Sequence, residues 1–92
     1  MSEVAEAEFT VQSELGMHAR PAGRFVALAT TFECEISVGK REEWVNGCSV
    51  LSILSLAAGK GTILRVRAEG DDAESAVIQL GALIESAEEP AA

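Results

Sequence analysis

An α+β fold, a two-layer open-faced sandwich in the order βαββαβα, is predicted for this 92-residue chain by three observations. Four segments alternate apolar and polar residues at the two-residue period of a half-buried strand. Three others repeat apolar residues at steps of three and four, the stripe of an amphipathic helix. Glycine, asparagine and aspartate signals separate the segments. One-sided strands need cover on one face alone, so a four-stranded antiparallel sheet with three helices on that face satisfies every element. At 48% hydrophobic residues, the length suits one core and excludes a second domain. A single domain over residues 1–92 is therefore expected, with its core at about 8–85 and acidic, frayed ends at 1–7 and 85–92.

The first strand rests on Phe9 and Val11 alternating with Thr10 and Gln12. Pro21 then marks the first turn of a helix, because a residue without a backbone donor is tolerated where that donor has no helical acceptor. Phe25, Val26, Ala29 and Phe32 carry that helix to about Thr31. Cys34, Ile36 and Val38 form the buried side of a second strand, Gly39-Lys40 opens a turn, and Glu43 to Val45 returns as a short edge strand. Asn46-Gly47 is a turn signal and Ser49 an N-cap for a helix to about Leu56. Thr62 to Ala68 alternates again, with Leu64, Val66 and Ala68 inward. The last helix starts at Gly70-Asp71, with Asp71 and Glu74 at capping-box spacing and a buried stripe of Ala73, Ala76, Val77, Leu80 and Ile84.

A formal net charge of −8 disfavours nucleic acid, whose binders cluster Lys and Arg. No apolar run is long enough to cross a bilayer, and the acidic start is unlike a secretory signal, so membrane insertion is not expected and a cytoplasmic location is. Cys34 and Cys48 do not make a disulfide framework; they are expected as inert thiols, Cys34 buried on its strand. One histidine and two scattered cysteines also fall short of metal-ligand spacing, and no cofactor is implied. Gly59-Lys60-Gly61-Thr62 lacks the preceding glycine of a nucleotide loop and is read as a turn.

Chemistry concentrates in Gly16-Met17-His18-Ala19-Arg20-Pro21-Ala22. His18, the only histidine, falls at or near the N-cap of the first helix, where amide donors and the positive end of the helix dipole favour an anion. Arg20 adds forked donors suited to phosphate oxygens. A nucleophilic ring nitrogen beside an anion cradle can accept a phosphoryl group, hold it and pass it on. Arg24 shares a helix face with Arg20. On the Ser49 helix, Val50, Leu51, Ile53, Leu54 and Leu56 exceed what one buried stripe holds. If Ile53 and Leu56 face inward, Val50, Leu51 and Leu54 form an exposed docking patch.

GMHARPAGRF near the start, VNGCSVLSILSLAAGKGT in the middle and RVRAEGDDAESAV later resemble the HPr family, the histidine-containing phosphocarriers of the bacterial phosphotransferase system. The likeness runs from about Glu8 to Glu85. It implies an HPr-like sandwich, phosphorylation of His18 at Nδ1, and stabilisation of that group by Arg20. It also implies enzyme I as donor and a IIA domain of a sugar or nitrogen branch as acceptor. Met17, Ala19 and Arg24 are expected to join Val50, Leu51 and Leu54 in partner binding. The family's regulatory serine, the target of HPr kinase in some lineages, falls on Ser49. Cys48 stands where a lysine is common and Glu42 where a glycine is usual. The chain is expected to be a monomeric carrier and not an enzyme; the alternative is an HPr-like regulatory module whose phosphorylation state selects protein partners.

Overall fold

The computed structural model describes residues 3–86. Its elements are β1 (Glu3–Thr10), α1 (Ala19–Ala29), β2 (Cys34–Lys40), β3 (Glu43–Asn46), α2 (Val50–Ser55), β4 (Ile63–Gly70) and α3 (Ala73–Ile84), the expected βαββαβα order. All strand pairs are antiparallel, and the sheet runs β1-β4-β2-β3. The short charged strand β3 lies at an edge, as its composition requires.

Side-chain alternation sorts the sheet into two faces. Ile36, Val38, Leu64, Val66 and Ala68 are buried on the helix side, against Ala22, Phe25 and Ala29 of α1, Ile53 of α2, and Ala73, Ala76, Val77, Leu80 and Ile84 of α3. Phe9 sits against Gly81, where a Cβ would collide with its ring. Glycine here lets α3 approach β1 closely.

Three expectations are corrected. The N-terminal end does not fray over residues 3–7: the whole of β1 pairs with β4, from Glu3 opposite Gly70 to Thr10 opposite Ile63, and backbone ladder bonds hold an acidic segment that buries little apolar area. The expectation of a frayed end over 87–92 lies outside the described residues. The N-cap of α3 is Asp72, in the left-handed region with no side-chain capping bond, so the Asp71–Glu74 capping box does not form. β4 runs on to Gly70, which pairs with both Glu3 and Cys34, and the Asp71 carbonyl accepts from Cys34 Sγ at 2.6 Å. Cys34 is accordingly half-buried and not core. Burial first, then the neighbouring Asp72, Asp71, Glu3 and Glu33 carboxylates, push its thiol pKa up.

Candidate functional site

The loop from Val11 to His18 is held in place by backbone contacts. Gly16 N donates to Ser13 O at 2.9 Å and Met17 N to Ala58 O at 2.8 Å. Gly16 has φ +71, and a Cβ there would run into the Ala58 carbonyl and the Gly59 backbone. Glycine is required on both counts. A 2.7 Å ion pair between Lys60 Nζ and Glu14 Oε1 ties the same loop to the turn after α2. The Lys60 ammonium holds the Glu14 carboxyl below its ordinary pKa.

His18 emerges from this loop as the N-cap of α1, with φ −79 and ψ −171, and its side chain makes no capping hydrogen bond. The first helical bond runs from Ala22 N to His18 O, so the amides of Ala19 and Arg20 lie ahead of the helical ladder and Pro21 contributes no donor. The imidazole is half-buried in a shallow depression of about 260 Å³ lined by Leu15, Met17, Leu54, Ala57, Ala58 and Gly59. Arg20 is exposed within the same turn. A ring nitrogen, two amides at the positive helix end and a guanidinium thus share one turn, an arrangement able to carry a dianion. Arg24, also exposed, lies one turn on, beside a second depression shared with Pro21, Leu83 and Ser86.

The second feature is α2. Ser49 caps it, its Oγ accepting from Ser52 N at 3.2 Å. Ile53 and Leu56 point inward at 1% and 2% exposure. The exposed patch is narrower than expected: Leu51 stands 79% exposed, whereas Val50 and Leu54 are half-buried against the core. Six residues make under two turns, so neighbours of the inward side are partly covered by it. Met17 is also corrected, being buried at 6% exposure with its side chain in the core. Exposed Ala19 and Leu15 flank His18 instead, and Leu15 at 71% exposure adds the apolar surface that Met17 does not.

Sequence reasoning missed the far end of α2. Lys40 Nζ donates to Leu56 O at 2.8 Å and Ala57 O at 3.4 Å, satisfying terminal carbonyls from a strand. Ala57, with φ +51, then turns the chain toward the His18 depression. No local pattern signals a contact between residues 16 apart.

Fold and site together define a small α+β domain of the phosphocarrier class, with the one histidine of the chain at a helix N-terminus. The family model for the PTS HPr component phosphorylation site matches residues 5–86, and the chain belongs to the HPr family of phosphotransferase-system phosphocarriers. It is 42% identical over 79 residues to the phosphocarrier protein HPr of Pseudomonas aeruginosa, covering 85% of this chain and 84% of that one. It is 33% identical over 81 residues to the phosphocarrier protein NPr of Shewanella violacea, covering 88% and 89%. The crystal structure of HPr from Bacillus anthracis superposes with a TM-score of 0.84 at 36% identity, covering 88% and 96%.

Proposed function

We propose that this phosphocarrier takes its phosphoryl group from enzyme I on Nδ1 of His18 and passes it to a IIA domain of a sugar or nitrogen branch. The observation that carries this reading is the N-cap position of His18, whose imidazole stands beside the Ala19 and Arg20 amides without capping them. The Nδ1 lone pair attacks phosphorus while the bond from phosphorus to enzyme I breaks, and that electron pair leaves with the enzyme I side chain. Transfer to the IIA domain repeats the displacement with His18 as leaving group. Arg20 and the two amides bind the phosphoryl oxygens throughout, stabilising the charge spread over them in the transition state. The chain acts as a covalent intermediate between partners, as a cytoplasmic monomer, and turns over no substrate alone.

Leu51, Leu15 and Ala19, with half-buried Val50 and Leu54 and the cations Arg20 and Arg24, supply the docking face for both partners. A phosphate on Ser49, added by HPr kinase, would lie at the positive end of α2 without melting it and place roughly two negative charges beside Val50 and Leu51. Partner binding then falls by repulsion and desolvation. The exposure of Leu51 also suits a regulatory module whose phosphorylation state selects partners.

Incubation with enzyme I and labelled phosphoenolpyruvate tests the assignment. Acid-labile label should appear on this chain, disappear in His18→Ala, and leave the melting temperature nearly unchanged because a half-buried cap carries little core energy. Label persisting on His18→Ala overturns it. Transfer failing to the chain itself, with tight partner binding retained, would favour the module.

A further inference from the structure

Lys40 closes β2 on the side of the sheet that carries Ile36 and Val38, the helix side, and is half-buried there. Its ladder partner on β3 is Glu43, yet the ammonium is bound to main-chain carbonyls, Leu56 O at 2.8 Å and Ala57 O at 3.4 Å. Leu56 is the C-cap of α2, and Ala57 follows it at φ +51. The left-handed region is unfavourable for any residue with a Cβ, alanine included. Two carbonyls at a helix end, both turned toward one cation, hold the chain in that conformation. Glycine would adopt it unaided.

What Ala57 turns is the wall of the histidine site. Leu54, Ala57, Ala58 and Gly59 line the depression around His18. Ala58, at 5% exposure, accepts from Met17 N at 2.8 Å, and the Gly16 turn lies so close to Ala58 O and Gly59 that no Cβ fits. Met17 precedes His18, so the backbone that presents the imidazole is fastened to the residue after Ala57. A slip of the Ala57 turn would move the wall and the Met17 anchor together. The Lys60–Glu14 ion pair ties the same two segments, but through exposed side chains, where a pair contributes little. Lys40 braces the turn from the sheet, with charge-assisted bonds to the main-chain oxygens that define it.

We propose that Lys40 is a positioning residue for phosphoryl transfer at His18. By holding the left-handed turn at Ala57 it sets Ala58 O, and through it Met17 N and the imidazole, against the start of α1. The proposal rests on the reading of His18 as the phosphoryl acceptor. The effect falls on the geometry of attack, where a displacement of about 1 Å costs on the order of 100-fold in rate.

Steady-state labelling by enzyme I, with the full chain as the varied substrate, is measured together with amide hydrogen exchange. Lys40→Met keeps an aliphatic stem and removes the donors. It should lower kcat roughly ten- to 100-fold with KM within about twofold, and speed exchange of the Met17 amide while that of Gly61, bonded to Val11 O, stays as in the parent. Lys40→Arg, which keeps donors and charge, should recover most of both. In an Ala57→Gly background the Lys40→Met loss should largely vanish, because glycine holds a positive φ without help. Val77→Ala, a core truncation in α3, should melt lower yet label as the parent does, which separates position from stability. Lys40→Met with parental kcat and parental Met17 exchange overturns the proposal. So does a loss of kcat that Ala57→Gly leaves untouched, or an equal loss in Val77→Ala. A parent chain that takes no label overturns the acceptor reading instead, and Met17 exchange then still decides whether Lys40 holds the loop.

Discussion

Helices α1 and α2 both begin at the end of a turn with a polar residue in extended conformation at the N-cap, yet the two starts are built differently. At α2, Ser49 accepts from Ser52 N, a local bond that satisfies the helix end. At α1, His18 makes no side-chain capping bond, and Pro21 removes a donor. One end is capped by its own side chain; the other is not. The difference teaches that an uncapped start is not by itself a site, since α3 also begins without a side-chain cap at Asp72; what sets α1 apart is that its uncapped start carries the histidine, while the capped start of α2 holds its own end.

The comparison can be broken most strongly through the anchoring of α2. Ile53→Ala should cost about 2–5 kcal/mol in denaturant unfolding, because it opens a cavity in the core. Leu51→Ala, on the opposite side of the same short helix, should stay within about 0.5 kcal/mol and instead weaken binding to enzyme I. Similar unfolding costs would mean that α2 has no docking side.

At α1 the effect should fall on rate and not on stability. Arg20→Ala should slow His18 labelling roughly 100-fold, the scale seen when one preorganised donor to a developing charge is removed. Arg20→Lys should recover part of it, since an ammonium supplies charge without the fork. Rapid-quench labelling measures both, and equal rates for all three chains would make Arg20 a bystander.

The converse holds for the cap of α2. Ser49→Ala should lower stability by about 1 kcal/mol, a fall of roughly 4–8 °C in melting temperature, with labelling of His18 retained. Ser49→Asp should keep the fold and label more slowly than Ser49→Ala, by placing charge beside Leu51. If the two label alike, Ser49 is a cap alone.

The smallest effect concerns the loop that presents His18. Lys60 lowers the Glu14 pKa in the folded chain, so the pair's contribution is present above the unfolded glutamate pKa and is lost as pH falls through the lowered folded value. Both side chains are largely exposed, which keeps the contribution slight. Urea midpoints of the parent chain and Lys60→Met should therefore differ slightly at neutral pH and converge under acid conditions. A difference that persists in acid would assign the effect to something other than the ion pair.

Sequence alone determined the element order, because strand and helix periods are local and long enough to read: Leu64, Val66 and Ala68 are inward on β4 as alternation requires, and the α3 stripe is buried residue for residue. It also placed His18 and Ser49 at helix N-caps, since Pro21 and the Asn46-Gly47 turn act on their own neighbourhoods. Tertiary structure alone decided how far each element extends and what stands on the surface between elements. The acidic residues 3–7 are a strand because β4 offers an edge to pair with, and Met17 is core because the Gly16 turn aims it inward. The Lys40 bonds to α2 and the Arg65 bond to the Arg41 carbonyl arise the same way. They join residues 16 and 24 apart along the chain, and side-chain contacts at that range depend on strand register and sheet order, which no local period encodes.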